Sequence, residues 1–306
     1  MRELRQSVLL ALVLVVGVSA TVSAQTKVQD SVKLGSSHLK IGDVINSHGI
    51  LSKNNEIVVS KGGKPLQTIL QGEARDDKRS VQVLAVDEAG DATSIRVTFK
   101  QYSVKITKAG KTVDVPCTLN GNSYNVRLVD GALVVRTVDD GPLDAKVEAE
   151  VKKAFQTDVG PVLVKRKLGK LLGGRTFQIG GTTQFSAEEV RKHMGLPSAM
   201  AVKAMDLSLR TIKKESLLNP RAAVFDLSLS LVGGASKEKE AQGLKTTDKL
   251  ALSGTVILSV ESGHILSVKL SGTTSMNGTM KQGENVFDIN SSGTLAQSHL
   301  RVYSRG

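Results

Sequence analysis

The sequence predicts an α+β fold in which curved antiparallel β-sheet, supplied by two strand-rich halves, packs on a central helical connector. Three observations carry that expectation. Apolar and polar residues alternate with a period of two within 38–140 and again within 198–306. Short turns bearing Gly, Asn or Asp separate those runs. Between them, in 141–197, the apolar spacing becomes that of a helix. The two halves and the connector are expected to share one core over 38–303, with two independent sandwiches as the alternative.

The chain opens with Arg2 and Arg5 before an apolar run from Val8 to Val18, followed by small residues up to Ala24. This is the pattern of a secretory signal peptide over 1–24, leaving 25–37 as a flexible amino-terminal segment. Gln25 at the new terminus offers no cysteine for a lipid anchor, and the two arginines are not adjacent, which favours ordinary secretion. No later stretch of about twenty apolar residues would span a bilayer. The expected location is therefore periplasmic or extracellular, with no transmembrane span in the mature chain.

Turns fix the expected registers of the first half. Asp87 closes on Asp91 around Glu88-Ala89-Gly90, opposing Val83 to Ile95 and Val81 to Val97. A turn at Lys108–Lys111 opposes Val104 to Val115 and Ile106 to Val113. Asn120-Gly121 opposes Cys117 to Tyr124, Val115 to Val126 and Val113 to Leu128; Asp130-Gly131 opposes Leu128 to Leu133 and Val126 to Val135. Pro116 lacks a ladder donor, so a bulge, an edge or an early splay is expected there. The apolar parity switches between Phe99 and Tyr102, which predicts a bulge or bend near Gln101.

In the second half, 200–212 and 222–232 alternate as a strand pair. Val256, Leu258 and Val260 are set to face Leu270, Val268 and Leu266, and 285–289 and 298–304 read as further strands. The polar stretch 233–249 reads as an exposed loop. In the connector, Pro142 marks a helix start, with Leu143, Val147, Val151 and Phe155 on one face and Glu148 four residues before Lys152. Ser186 and Glu189 form a capping box, Phe185 and Val190 a hydrophobic staple, and Gly195 a stop.

Candidate chemistry is sparse. Cys117 is the only cysteine; its apolar row reads as core filler, against the alternative of a reactive thiol for which no local base is present. His38, His48, His193, His264 and His299 fall in separate elements without metal-ligand spacing, and no nucleophile elbow, phosphate loop or zinc-protease helix occurs. His193 and His264 read as solvated or capping side chains. The acidic residues at 87–91 miss the calcium-loop spacing and read as a solvated hairpin tip. The expectation is a protein that is not an enzyme, with no cofactor and no metal. The absence of tryptophan and scarcity of aromatics argue against stacking platforms for sugars or single strands, and export argues against a nucleic-acid partner.

The net charge of +12 falls to near +11 once Arg2, Glu3 and Arg5 leave. The excess is diffuse except at Lys165, Arg166, Lys167, Lys170 and Arg175, which carry no acid among them. If Val164, Leu168, Leu171 and Leu172 dock, that basic arc faces solvent and is the candidate contact for an anionic envelope component. The alternative is a plain solvated helix face.

The order of motifs, LKIGD, then VLAVDEAGDATSIRVTF, LNGNSYNVRLVDGALVV, a helix, LLGGRTFQIGG and closing glycine- and threonine-rich strands, resembles secreted β-rich bacterial domains of unknown function. The architecture is similar to the periplasmic lipoprotein-carrier class, in which a curved sheet and helices enclose an apolar cavity. Export, the sheet-rich design and the lack of catalytic groups lead to the expectation of a non-catalytic envelope protein that binds an apolar or amphipathic ligand, or a protein partner, on the curved sheet. An envelope scaffold with a ligand-free core, and a hydrolase whose site is assembled from distant residues, remain the alternatives. Oligomeric state is left open.

Overall fold

The computed structural model describes residues 31–130, 132–156, 168–194, 200–213, 221–235 and 240–305. The signal-peptide assignment over 1–24, Val164, Lys165, Arg166, Lys167 and Gly195 lie outside them.

Mostly antiparallel sheet with few helices is what these residues form. The strands are β1 (Ser31–Lys33), β2 (Asp43–Lys61), β3 (Lys64–Val86), β4 (Ala92–Lys108), β5 (Lys111–Val115), β6 (Ser123–Val129), β7 (Ala132–Arg136), β8 (Thr176–Gln178), β9 (Thr182–Gln184), β10 (Met200–Lys213), β11 (Ala222–Gly234), β12 (Leu244–Ser259), β13 (Ile265–Gln282) and β14 (Asn285–Arg305). The helices are α1 (Ala145–Gln156), α2 (Leu168–Leu172) and α3 (Ala187–Met194). One open sheet runs in the order β7-β6-β4-β3-β2-β14-β13-β12-β11-β10-β9, with β5 also on β4; β1 and β8 form a separate pair. The first and last long strands, β2 and β14, are neighbours and join the two halves.

Most turn-based registers hold. Val83 opposes Ile95 and Val81 opposes Val97; Val104 opposes Val115 and Ile106 opposes Val113; Leu128 opposes Leu133 and Val126 opposes Val135. The ladder shifts where Lys78 and Arg79 meet Gln101 and Phe99, so Lys100 is the bulged residue near the expected place.

Asn120-Gly121 does not fold β5 onto β6. Both strands instead lie end to end along β4, whose Val97 meets Tyr124 and whose Ile95 meets Val126. Pro116 ends β5 at Val115. Across the gap, the Asn120 side chain takes the place of a strand partner, accepting from Tyr102 N and donating to Tyr102 O. A side-chain amide thus satisfies the backbone that the missing ladder leaves open.

Other expectations are corrected. In β12–β13, Leu258 faces Ile265, three residues from the expected register, because the loop closes between Ser259 N and His264 O at 2.9 Å; Leu266 is bulged out, which leaves Val256 facing Val268, two residues from the expected register. Leu244–Lys249, read as loop, is strand, and 285–289 and 298–304 belong to one strand, β14. Part of 25–37 is ordered: Ser31–Lys33 pairs with β8, and Val32 and Leu34 are buried. Helix α1 starts after Asp144, whose carboxylate accepts from Lys146 N at 2.8 Å, so the cap is Asp144 and Pro142 lies before the helix.

The helices keep their predicted faces. Val151, Ala154 and Phe155 of α1 are buried, with Leu143 and Val147 packed alongside, and Lys152 pairs with Glu148 at 2.6 Å. The capping box is present: Glu189 N donates to Ser186 Oγ at 3.2 Å and Ser186 N to Glu189 Oε2 at 3.0 Å. The described core resolves into two clusters. One joins α1 to β3, β4, β6 and β7; the other joins β10 to β13 with α2, α3, Val32 and Phe177.

Glycines on the inner face let the sheet bend. A Cβ on Gly272 would lie 1.8 Å from Ala251 O on the next strand, so only hydrogen fits at this approach. Gly272→Val is expected to destabilise by about 1–3 kcal/mol or more through overpacking, whereas Ser271→Val on the outer face stays within about 0.5 kcal/mol. Thermal melts of the two variants check this.

Candidate functional site

Unbroken registers carry one face across the sheet. Arg75 on β3 opposes Leu51, which opposes Gln297, then Leu270, Gly254, Leu227 and Leu207. The next row runs Asp77, Gly49, His299, Val268, Val256, Phe225 and Leu209. This face bears both cores, while the reverse face of β12–β14 is rich in Ser, Thr and Asn.

Between the cores lies a buried polar belt of Arg75, Asp77, Arg79, Gln297 and His299. Arg79 pairs with Asp77 and sits over the Phe99 and Phe155 rings, 5.3 Å from each centroid. The Tyr102 phenol is pushed up by burial, against the opposing pull of the Arg75 guanidinium, to which it is hydrogen-bonded. His299 Nδ1 would lie 3.0 Å from a Cβ at Gly49, so the glycine leaves room for the imidazole. The Gln297 Oε1 is buried without a hydrogen-bond partner. Belt and cores together make this face continuous.

Away from the turn at 87–91, the same face continues past both cores. Ile57 opposes Ile69 and Ser291; Val59 opposes Ile289, which opposes Gly278; Met276 opposes Ser291; Phe287 opposes Met280, which opposes Leu244. Ile289 is 8 % exposed, yet neither core cluster includes it. Ile57, Val59, Ile69, Leu244, Met276, Met280 and Phe287 are half-buried. The result is an apolar strip on the inner face. Its sequence signal is diluted, because Gly, Thr and Ser, together with Asn55 and Asp248, share those alternate positions with the apolar residues.

Of the predicted basic site, Lys170 and Arg175 are described, and both are engaged within the chain. Lys170 Nζ meets Asp91 Oδ2 at 2.6 Å and Ala89 O at 3.2 Å. Arg175 pairs with Glu189 at 2.7 Å and lies over Phe185. Leu168, Leu171 and Leu172 are buried as expected. The 87–91 tip is solvated only in part: Glu88 and Ala89 are exposed, whereas the Asp91 side chain is 3 % exposed in the pair, and Leu39 N donates to Gly90 O. Lys170 thereby clamps the connector to the first half. His264 is also tied down, stacked on Tyr303 at 4.4 Å with Nδ1 2.8 Å from Ser37 Oγ. His48 Nε2 meets Asp76 Oδ1 at 2.8 Å on the outer face.

Cys117 is half-buried, packed against the first core, and its Sγ accepts from Leu119 N at 3.4 Å. Burial raises its pKa, which favours the thiol. It lies in the gap between β5 and β6, off the row where it was expected. His193 is lowered first by burial, then by Lys192 and Arg175. Among the described residues, no three His, Cys, Asp or Glu side chains form a metal-ligand group, and no helix is long and apolar enough to cross a membrane.

No family model and no curated protein matches the chain. Among solved structures, it is similar to a lipovitellin structure titled for lipid–protein interactions, at 8 % identity and a TM-score of 0.37, covering 88 % of this chain and 26 % of that one. It thus spans about a quarter of the length of that chain. Two mutants of the Rh. blastica porin are similar at 10 % and 9 % identity, with TM-scores of 0.23 and 0.22, each covering 83 % of this chain and 99 % of the porin.

Two expectations test the ties. Lys170→Met leaves the Asp91 carboxylate buried without its ammonium and is expected to cost about 3 kcal/mol, the low end for a broken buried pair because Lys170 is itself 22 % exposed; chemical denaturation of K170M and of K170M/D91L, which should recover much of the loss, measures it. Glu189 is held from 4.5 down to about 2, first by the Arg175 hydrogen bond and then by Ser186. Its contribution is complete above pH 4.5 and is lost as pH falls toward 2. The difference in Tm between parent and Glu189→Ala should therefore be present at pH 6 and close near pH 2.

Proposed function

We propose that this chain is an exported, non-catalytic protein that binds an apolar or amphipathic ligand on the concave face of its sheet. The observation that carries the reading is the inner-face strip, where half-buried Ile57, Met276, Met280 and Phe287 extend apolar surface beyond both cores. Completing the burial of such side chains contributes on the order of 1 kcal/mol each, enough together for binding at roughly micromolar levels after the cost of association. The leader-like start supports export. The structured inner-face polar groups support a packing role: Arg79 is sandwiched between rings and paired, and the histidines sit in separate environments.

The basic-span reading now rests on Lys165, Arg166 and Lys167, since Lys170 and Arg175 are committed to ion pairs. The test of the main reading is native mass spectrometry of protein exported by a bacterial host, together with displacement of an environment-sensitive apolar dye by palmitate and hexadecanol. Bound acyl species or displacement by either is expected, and Met276→Glu should abolish it while circular dichroism and Tm are retained. Binding of neither compound by the parent, with no co-purified lipid, would overturn the reading in favour of a ligand-free scaffold.

A further inference from the structure

We infer that the ligand is a long-chain lipid with an anionic head, its acyl chain lying along the strip and its head held at Lys61 and Lys64. This rests on the proposed function and names the chemistry and direction of that same site. Lys61 follows Ile57 and Val59 on the inner-facing side of β2, and Lys64 opposes it across the turn at Gly62-Gly63. Lys61 Nζ stands 6.0 Å over the Phe287 ring and 2.7 Å from Asn285 Oδ1, so the ammonium is at the end of the apolar strip.

The acids at this end are arranged differently. Glu56 and Asp288 occupy alternate positions that face the reverse side, Glu284 is in the β13–β14 turn, and Asp248, which faces inward, lies deeper along the strip opposite Met276, away from its mouth. At its mouth the inner face therefore presents two ammonium groups and the polar ends of Gln282 and Asn285, which suits a carboxylate or phosphate oxygen. At the other end, Leu295 and Leu252 are packed into the core, 7 % and 2 % exposed. A tail can lie toward them; on the same face Lys53, opposite Leu295, stands across from Glu73 on β3, so this end offers an anionic head an ammonium already faced by a carboxylate, unlike the two ammonium groups at the mouth. From Leu295 to Phe287 the strip runs about 27 Å along β14. That exceeds the roughly 15 Å half-thickness of a bilayer's hydrocarbon core, so one extended membrane acyl chain fits.

The test compares palmitate, hexadecanol and hexadecyltrimethylammonium, which share a tail and differ in head charge, by titration of the parent and of K61Q/K64Q at low and high salt. Palmitate should bind most tightly. The double variant should weaken palmitate by about tenfold while leaving hexadecanol unchanged, and salt should narrow the gap between the two ligands. Unchanged circular dichroism and Tm serve as the control for folding. Equal binding of palmitate and hexadecanol, or an equal effect of the variant on both, would overturn the placement of the head and leave the apolar site standing. Binding of none of the three would overturn the site and this inference together.

Discussion

The pairing of β2 with β14 is the constraint on which the remaining structure depends. It runs without a register shift from Asp43 opposite Arg305 to Ser60 opposite Asp288. Because strand side chains alternate between faces, a slip of β14 by one residue would turn Gln297, His299 and Leu295 outward while Leu51 stayed inward, and would break the continuity between the two cores. The strip depends on the same ladder, since Val59 and Ile289 oppose one another across it. Each half brings its own apolar cluster, and this seam gives both clusters a common face.

Around the seam, local devices hold the helices at the two ends. Thr118 donates through N and Oγ1 to Glu150 of α1, which ties the gap between β5 and β6 to the helix over the first core. Lys170 reaches from α2 to the β3–β4 turn, and the capping box with Arg175 fixes α3 over the second core. Charged groups here act through geometry, because Asp91 is buried and its carboxylate must be met at a defined place. The central strands are left with their inner face shaped by glycine and by side chains such as Asn55, whose Oδ1 accepts from Thr274 Oγ1 at 3.2 Å.

What the sequence made legible follows from range. Hairpins closed by Asp87-to-Asp91, Asp130-Gly131 and Lys108-to-Lys111 encode register in adjacent residues, so Val83 with Ile95 and Leu128 with Leu133 could be read from turn chemistry and parity alone. Asn120-Gly121 carried the same local signal, but its outcome is set by β4, which has edge enough to pair with both flanking strands. The bulge at Leu266 has no composition cue. Lys170 reads as one cation in a basic run until the fold brings Asp91 to it. The strip was equally hidden, because Ile57, Met276 and Phe287 lie in three segments whose adjacency comes only from non-local pairing.

That non-local seam also bears on how the chain reaches its structure. β14 follows every other described strand in sequence, yet its partner β2 is the first long one. Until it docks, the three-strand ladder of β2, β3 and β4 has a wide open edge at β2, and the sheet from β10 to β13 has another at β13. Long strands with unpaired edges are templates for pairing with other chains. Closing the loop that separates the two strands is slow compared with forming any of the local hairpins. Folding is therefore expected to be late and nearly all-or-none at this join, with the half-sheets formed first as the species most exposed to aggregation and to chaperone capture.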